Sequence, residues 1–279
     1  MAICAKVALM RPIEEQVILV TGATDGLGKG VALELARRGA TVLIHGRDPA
    51  RIAATVDHVR STTKSEKLRG YCGDFSSLEA VRKLATDLLA HEPRLDVLLN
   101  NAGIGLDIPG GGVRQTSQDG HELRFAVNYL ASFLLTRELL PLVKASAPAR
   151  IVNVSSIGQE ALDFDNVMLE RDYSGPRAYR QSKMAQIMFT FDLSEKLAAD
   201  NVTVNTLHPA TFMPTKIVDK PLSPLQDGID ATVHLVTAQT LSETTGCYFD
   251  GQTPSQAKPQ AYDREARARL WKLSEDLTT

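Results

Sequence analysis

Thr21-Gly22-Ala23-Thr24-Asp25-Gly26-Leu27-Gly28 is the stretch of this sequence that decides its fold. It follows the apolar run 16–21, which predicts a buried strand, and it leads into residues 26–38, whose apolar side chains recur with a helical period. Glycines between a strand and a helix allow a tight turn and let the backbone approach a pyrophosphate at the helix N-terminus. The spacing is G-x-x-x-G-x-G rather than the commoner G-x-G-x-x-G, so this loop indicates a dinucleotide site only together with other features.

Apolar runs and longer helical patterns alternate along the rest of the chain. We predict strands at residues 41–45, 68–71, 96–100, 150–155, 202–207 and 246–249. We predict helices at residues 49–60, 77–89, 119–140 (capped by Asp119), 176–199 and 263–277. This order implies βαβ units and a single α/β domain over residues 1–279, a Rossmann-type doubly wound fold with a seven-stranded, mostly parallel sheet flanked by helices. Three irregular stretches, 104–118, 158–175 and 210–225, follow predicted strands, so we expect them on the ligand side of the sheet.

The composition argues against several classes of partner. The net charge is −2, from 31 basic and 33 acidic residues, and no charged tail is present, so we expect no nucleic-acid partner. Cys4, Cys72 and Cys247 are too far apart for a metal site or a disulfide framework, which favours a reducing compartment. No stretch of about 18 apolar residues lacks a charge, so we expect no membrane anchor and a cytoplasmic location.

The end of the second strand predicts which dinucleotide binds. It reads His45-Gly46-Arg47-Asp48, where an acidic residue at the tip would hold the ribose hydroxyls of NAD and an Arg would accommodate the 2′-phosphate of NADP. Arg47 therefore favours NADP(H), with NAD(H) as the second choice; the alternative is that Arg47 is a solvated surface charge. Asp48 is interpreted as the cap of the next helix. Asp25 weakens the case, because a basic residue at its position would have supported NADP.

A phenol and an ammonium lie four residues apart in Tyr179-Arg180-Gln181-Ser182-Lys183, on one face of a predicted helix. A neighbouring cation lowers the pKa of a phenol, which then exchanges a proton with a carbonyl or an alcohol. Such a pair also arises by chance on helix surfaces. Two serines at the end of the fifth strand, Ser155 and Ser156, offer hydroxyls to a reacting oxygen. Asn128 could order a water beside Lys183.

Together these residues resemble the short-chain dehydrogenases/reductases, over residues 16–249 of this chain. The glycine loop, the Asn100-Asn101-Ala102-Gly103 stretch, Asn128, the strand serine and the Tyr-Lys pair occur in the family's order. The resemblance implies that Tyr179 is the acid/base, that Lys183 lowers its pKa and holds the nicotinamide ribose, and that Ser156 orients the carbonyl while Asn128 completes the relay. Ser156 is preferred to Ser155 because the family's serine precedes an apolar residue. Further cofactor contacts that the resemblance implies are Asp74, Phe75, Asn101, Ala102, Gly103, Pro209 and Thr211, whereas His208 is interpreted as structural.

Within the family, the chain looks most like the retinol-dehydrogenase-like branch. The separation of the serine and the tyrosine is wide (179 − 156 = 23 residues), and a Tyr262-Asp263 to Leu270-Trp271 segment follows near the end. Two departures, Ala210 for the usual Gly and Pro214 for a common Thr, put the contacts to the carboxamide of the cofactor in doubt.

The expected function is therefore NADP(H)-dependent interconversion of a carbonyl compound and its alcohol. Apolar residues of the irregular stretches suggest a lipophilic small-molecule substrate; they are Phe164, Met168, Leu169, Phe212, Met213, Ile217 and Val218. The alternative is a catalytically silent NADP(H)-binding sensor or scaffold on the same fold. The resemblance also raises the prospect of a homodimer or homotetramer.

Overall fold

The apolar runs of the sequence form one sheet in the computed structural model, which describes residues 9–105, 112–214 and 222–279. The strands are β1 (Val17–Val20), β2 (Thr41–Gly46), β3 (Leu68–Cys72), β4 (Val97–Asn100), β5 (Ala149–Val154), β6 (Val202–His208), β7 (Tyr248–Asp250) and β8 (Thr253–Ser255). The helices are α1 (Gly26–Arg37), α2 (Pro49–Thr63), α3 (Leu78–His91), α4 (Ala131–Ala145), α5 (Gly175–Lys196), α6 (Leu225–Thr237) and α7 (Arg264–Leu277). A π-helical segment, Phe125–Leu130, runs directly into α4.

The strand order is β3-β2-β1-β4-β5-β6-β7-β8, with β1 to β7 parallel and β8 antiparallel to β7. An order that runs outward from β1 in both directions is that of a doubly wound sheet. The predicted Rossmann-type α/β fold is therefore confirmed. The sheet has one strand more than the seven predicted, because the chain turns at Gly251, whose φ is +59°, and adds β8 at the edge.

Helices cover both faces of the sheet, so its strands are buried on both sides. One face packs against α3, α4 and α5, and the other packs against α1, α2 and α6. The close approach of α1 and α6 depends on Gly30, where a Cβ would lie 2.3 Å from Ile229 Cδ1. The C-terminal helix α7 packs against α4 and α5 through rings of Phe133, Phe189 and Trp271, whose centroids are 5.2–5.9 Å apart.

The segments that carry the candidate chemistry lie at one edge of the sheet. The glycine loop follows β1, residues 101–105 follow β4, residues 155–174 follow β5, and residues 209–214 follow β6. Because parallel strands end at the same edge, these four segments meet at the carboxyl ends of the strands, as expected for a ligand cleft in this fold.

Two predictions about helices differ from the structure. We predicted a helix over residues 119–140 with Asp119 as its cap. In the structure, Asp119 Oδ2 instead accepts a hydrogen bond from Leu78 N, at the start of α3. Helical backbone begins later, at Leu123, and Glu122 Oε2 accepts a hydrogen bond of 2.7 Å from Phe125 N. Helix α6 was not predicted at all.

One helical segment of the described residues, Phe125–Ala145, is long and apolar enough to span a membrane by length and composition. Its most apolar window is 67% buried inside the fold, where it packs against α3 and α5. That burial is the behaviour of a core helix.

Candidate active site

The glycine loop is held in a shape that only glycine permits at two positions. Gly22 has a φ of +65°, and a Cβ on it would lie 2.8 Å from Ala102 Cα. A Cβ on Gly28 would lie 2.4 Å from the Gly22 carbonyl oxygen. The loop therefore closes tightly over the N-terminus of α1, and this is a cradle in which a pyrophosphate fits.

The segment after β4 fastens this loop from the other side. Asn101 Nδ2 donates to the Thr21 carbonyl (2.7 Å), while the backbone N–H groups of Asn101 and Ala102 donate to Thr21 Oγ1. The Asn-Asn-Ala-Gly stretch thus supports the glycine loop, in addition to the cofactor contacts predicted for Asn101, Ala102 and Gly103.

The end of β2, where the adenosine of a dinucleotide is expected, has two arginines nearby rather than one. Arg47 lies at the carboxyl end of β2 with its side chain exposed, and Asp48 caps α2 by accepting from Ala50 N at 2.9 Å. Asp25 Oδ1 accepts from Gly26 N, and its Oδ2 lies 2.9 Å from the guanidinium of Arg51. We predicted no role for Arg51 from the sequence. An acidic residue in the glycine loop and a basic residue in the first turn of α2 would have indicated the ion pair.

Asp74 and Phe75 follow β3 at the same edge of the sheet. Asp74 Oδ1 accepts a hydrogen bond of 3.0 Å from Ser76 N, which fixes the turn. The ring of Phe75 stacks on His45, with centroids 4.6 Å apart. The structure therefore places both residues beside the end of β2, where the adenosine of a dinucleotide would lie.

Tyr179 and Ser156 come together at the chemical end of the cleft. Burial raises the pKa of the Tyr179 hydroxyl, and its hydrogen bond with Ser156 acts in the opposite direction. Gly158 lies against both side chains, since a Cβ on it would be 3.4 Å from Ser156 Oγ and 3.8 Å from Tyr179 Cε1. Ser155 points elsewhere, because its Oγ donates to the Leu207 carbonyl. The geometry therefore favours Ser156 over Ser155.

Lys183 lies beside Tyr179 but is held by other groups. Its Nζ is 5.7 Å from the centroid of the Tyr179 ring, and it donates to the Val154 carbonyl (2.9 Å) and to Gln186 Oε1 (2.8 Å). Burial lowers the pKa of Lys183 to about 7. Burial is the larger influence on the pKa of Tyr179 and raises it. The role of Lys183 in lowering that pKa stays a prediction.

Asn128 lies in the π-helical segment, where its side chain joins two elements. Its Oδ1 accepts from Ile104 N (2.8 Å), and its Nδ2 donates to the Ile104 carbonyl and to Ser182 Oγ (2.9 Å). Gly103 makes room for it, since a Cβ there would lie 3.2 Å from Asn128 Oδ1 and 3.7 Å from Lys183 Nζ. π-Helical turns often occur at functional sites.

A buried ion pair near the start of this helix connects two of the irregular stretches, 104–118 and 158–175. The fully buried Arg124 donates to the Gly105 carbonyl (2.9 Å) and to the Tyr173 hydroxyl (2.7 Å), with Glu122 at 4.0 Å. Burial raises the pKa of Glu122. Arg124 therefore connects the segment after β4 to the segment that leads into α5, and nothing in the local sequence pattern indicated it.

The segment after β6 is only partly described. Pro209 is buried, and Thr211 Oγ1 lies 3.1 Å from His208 Nε2, which fits a structural role for that histidine. Leu169 is buried in the core and Phe164 lies under the guanidinium of Arg269, so these two pack within the fold. Predictions that fall outside the described residues concern Cys4, Ile217, Val218 and the 106–111 part of the first irregular stretch.

Comparisons with known proteins agree on one family. A model of the family described as short chain dehydrogenase matches residues 16–223. Human retinol dehydrogenase 13 is 37% identical over 284 residues, covering 93% of this chain and 83% of that protein. Human retinol dehydrogenase 14 is 35% identical over 292 residues, covering 92% and 84%.

Solved structures give the same picture. An Escherichia coli CFT073 short chain dehydrogenase complexed with NADPH has a TM-score of 0.68 at 27% identity, covering 85% of this chain and 97% of that one. The Pseudomonas aeruginosa RhlG/NADP active-site complex has a TM-score of 0.68 at 26% identity, covering 86% and 97%.

Proposed function

Because the chain belongs to the short-chain dehydrogenase family, we propose that it is an NADP(H)-dependent oxidoreductase that interconverts a lipophilic carbonyl compound and its alcohol, with Tyr179 as acid and base. The family and the retinol dehydrogenase relatives support NAD(P)-dependent chemistry at a CH–OH group. The observation that carries the proposal is the meeting of Tyr179 with Ser156 beside the buried Lys183.

The cofactor would lie along the carboxyl edge of the sheet, from the adenosine end near Arg47 to Tyr179. Its proposed contacts come from the glycine loop and the segments after β2, β3, β4 and β6, together with α5: Gly22, Thr24, Asp25, Gly26, Leu27, Gly28, Arg47, Asp74, Phe75, Asn101, Ala102, Gly103, Tyr179, Lys183, Pro209 and Thr211. Bound NADPH supplies the hydride for carbonyl reduction.

The protein's own groups manage the proton. In reduction, Tyr179 donates the proton of its hydroxyl to the carbonyl oxygen and becomes a phenolate. In alcohol oxidation the phenolate accepts the proton of the alcohol hydroxyl. Ser156 Oγ donates a hydrogen bond to the reacting oxygen and so stabilises the charge that develops there. Asn128 holds the segment after β4 against helix α5, next to Tyr179 and Ser156, through its hydrogen bonds to Ile104 and Ser182.

NADP(H) is preferred to NAD(H) in this proposal because of the arginines at the adenosine end. Arg47 is exposed at the tip of β2, and Arg51 is held next to the glycine loop by Asp25. A guanidinium is well suited to binding the 2′-phosphate that distinguishes the two cofactors. Structural neighbours complexed with NADP or NADPH support this choice.

The substrate class follows from the surface around the cleft. Large apolar side chains are exposed on segments that follow β4, β5 and β6: Val113, Ile157, Phe212 and Leu222. Because each of these segments follows a strand at the ligand edge of the sheet, we infer that the exposed side chains border the cleft, where an apolar substrate would cover them. The names of the retinol dehydrogenase relatives point to the same chemical class.

The proposal also includes a single catalytic domain over residues 1–279 and a cytoplasmic location. A homodimer or homotetramer stays a prediction.

A calorimetric titration with NADPH and NADH, followed by a screen of aldehydes, ketones and alcohols of graded chain length, tests the proposal. We expect tighter binding of NADPH and a kcat/KM that increases with the apolar length of the substrate. Tight NADPH binding without turnover of any compound would instead indicate the sensor or scaffold. Turnover that favours short polar substrates would overturn the lipophilic assignment.

A further inference from the structure

His45 is a buried histidine that the proposed chemistry does not use. It lies next to the last residue of β2 and is 2% exposed, so its ring has no access to the proton exchange at Tyr179. Both ring nitrogens nevertheless contact backbone groups of the cofactor cleft. Nδ1 lies 3.2 Å from Gly22 N, and Nε2 lies 3.0 Å from the Gly73 carbonyl oxygen.

These two partners determine where the proton of the imidazole is. A backbone N–H only donates, so Nδ1 accepts from Gly22 and carries a lone pair. A carbonyl only accepts, so Nε2 carries the hydrogen and donates to Gly73. The ring is therefore neutral, in the Nε2–H form. Burial lowers the pKa of His45 to about 4, although the Gly73 hydrogen bond and the Asp74 charge act to raise it.

The ring joins two segments that would bind different parts of a dinucleotide. Gly22 opens the glycine loop, which forms the pyrophosphate cradle. Gly73 precedes Asp74 and Phe75, which lie at the adenosine end, and the Phe75 ring stacks on His45 at a centroid distance of 4.6 Å and an angle of 26°. The imidazole thus lies between the two halves of the adenosine-pyrophosphate site and contacts both.

We propose that His45 is a positioning residue for cofactor binding: its neutral ring holds the glycine loop and the Gly73–Phe75 segment at the spacing that adenosine and pyrophosphate require. This inference rests on the proposed function. The ring bonds the backbone of Gly22 and Gly73, which belong to the segments proposed for the pyrophosphate and the adenosine that NADH and NADPH share. The groups proposed for the 2′-phosphate are Arg47 and Arg51. His45 therefore sets affinity for both cofactors and does not select between them.

The ends of the strands do not depend on the imidazole, so substitution is compatible with folding. Ala23 N donates to the His45 carbonyl at 2.8 Å, and Gly73 N donates to the Gly46 carbonyl at 3.0 Å. These backbone hydrogen bonds persist whatever side chain occupies position 45. Removal of the ring nitrogens should loosen the loop against the adenosine end without separating the strands.

His45→Phe tests the proposal because it keeps a ring for Phe75 and removes both hydrogen bonds. We expect the Kd of NADPH and that of NADH, measured by calorimetry, to increase by the same factor of about tenfold, the size expected for loss of one or two hydrogen bonds. His45→Gln, which retains an acceptor and a donor, should recover most of that loss. His58→Phe, a substitution of an exposed histidine in α2, is the matched control and should change neither Kd.

A nitrogen-correlated NMR spectrum of the unsubstituted protein at pH 7 gives an independent readout, with the His45 signal identified by its absence in His45→Phe. We expect the neutral Nε2–H form. In the NMR spectrum, a charged ring or the Nδ1–H form would overturn the positioning role. In the binding measurements, unchanged affinities in His45→Phe or a loss of affinity confined to NADPH would also overturn it. If the unsubstituted protein binds neither cofactor, the proposed function fails as well, so the two failures are distinguishable.

Discussion

Lys183 Nζ lies 2.8 Å from Gln186 Oε1, one turn further along α5, and this amide oxygen is one of two neutral acceptors that hold the buried ammonium. The other is the carbonyl of Val154 at the end of β5. Neither acceptor carries a charge, so the cost of burying the cation is only partly offset, and burial lowers the pKa of Lys183 to about 7. An ammonium has three N–H donors, and two of them have acceptors among the described residues, which leaves one direction for a ligand.

The lowered pKa predicts how stability depends on pH. In the unfolded chain Lys183 titrates near its ordinary value of 10.5, so between about pH 7 and pH 10.5 the unfolded state binds more protons than the folded state. The free energy of unfolding should therefore increase with pH across this window. Relative to Lys183→Met, which lacks the titrating group, we expect an increase of roughly 2 kcal/mol between pH 7 and pH 9. Urea titrations of both proteins at several pH values would measure it, and a difference that is flat or decreases with pH would contradict the assignment.

Tyr179→Phe should abolish turnover while leaving cofactor binding nearly intact. The substitution removes the hydroxyl that meets Ser156 and keeps the ring beside Lys183. We expect kcat to decrease by about 10²-fold or more, since a general acid is lost, and the Kd of NADPH to change by less than about threefold. Tyr262→Phe removes a half-exposed hydroxyl that accepts from Ala257 N, and it serves as the control. Undiminished turnover in Tyr179→Phe would refute the role of this residue.

The sequence was most informative where chemistry is carried by local pattern. The glycine loop was predictable because a buried strand, a run of glycines and an amphipathic helix stand next to one another in the chain. Asn128 was found through its order among the family's motifs, but its environment was not. Its side chain bonds Ile104 and Ser182, which are 24 and 54 residues away, so no local sequence pattern predicts these contacts.

Other features escaped prediction for different reasons. Helix α6 had a readable signal, since Ile229, Val233 and Val236 recur at helical spacing and pack against α1, but the irregular stretch before it obscured its start. Arg124 is a charge at a fully buried position, and burial of a charge is specified by distant partners rather than by neighbours in sequence. The partners of such a buried charge are far away in the sequence, so a single sequence does not predict them.

Arg47→Asp should invert the cofactor preference. A carboxylate at the tip of β2 repels the 2′-phosphate of NADPH and accepts hydrogen bonds from the ribose hydroxyls of NADH. We expect the Kd of NADPH to increase by about tenfold or more, while that of NADH decreases or stays unchanged. Arg37→Asp, at the far end of α1, makes the same change of charge away from the cleft and should leave the ratio of the two constants as it was. An unchanged ratio in Arg47→Asp would show that Arg47 is a solvated surface charge.

Phe189→Ala should destabilise the packing of α7 on α5. Phe189 is 3% exposed, and its ring contacts those of Phe133 and Trp271. Removal of a buried aromatic ring costs about 3–5 kcal/mol. Trp271 is the sole tryptophan of the sequence, so its fluorescence during urea unfolding reports on this helix directly. Phe212→Ala truncates a ring that is 46% exposed and should change stability by less than about 1 kcal/mol; equal effects of the two variants would contradict the packing argument.

Asn128 and Ser182 should be energetically coupled in catalysis. Asn128 Nδ2 donates to Ser182 Oγ, and that hydroxyl donates in turn to the Tyr179 carbonyl at 2.7 Å, so the asparagine reaches the backbone of the proposed acid/base through one side chain. In a cycle of Asn128→Ala, Ser182→Ala and the double variant, we expect kcat/KM to give a coupling of about 1 kcal/mol. Asn128→Ala alone should cost more than Ser182→Ala, because it also releases the Ile104 backbone.

Ser194→Ala provides the matched control for this cycle. Ser194 is buried in the same helix, and its Oγ makes the same kind of bond, to the Phe191 carbonyl three residues earlier at 2.8 Å. Its effect should add to that of Asn128→Ala without coupling, since its bond lies three turns along α5 from Ser182. Coupling of equal size with Ser194 would mean that Asn128 acts on the stability of α5 as a whole. Coupling with Ser182 alone would support a path from the segment after β4 to Tyr179.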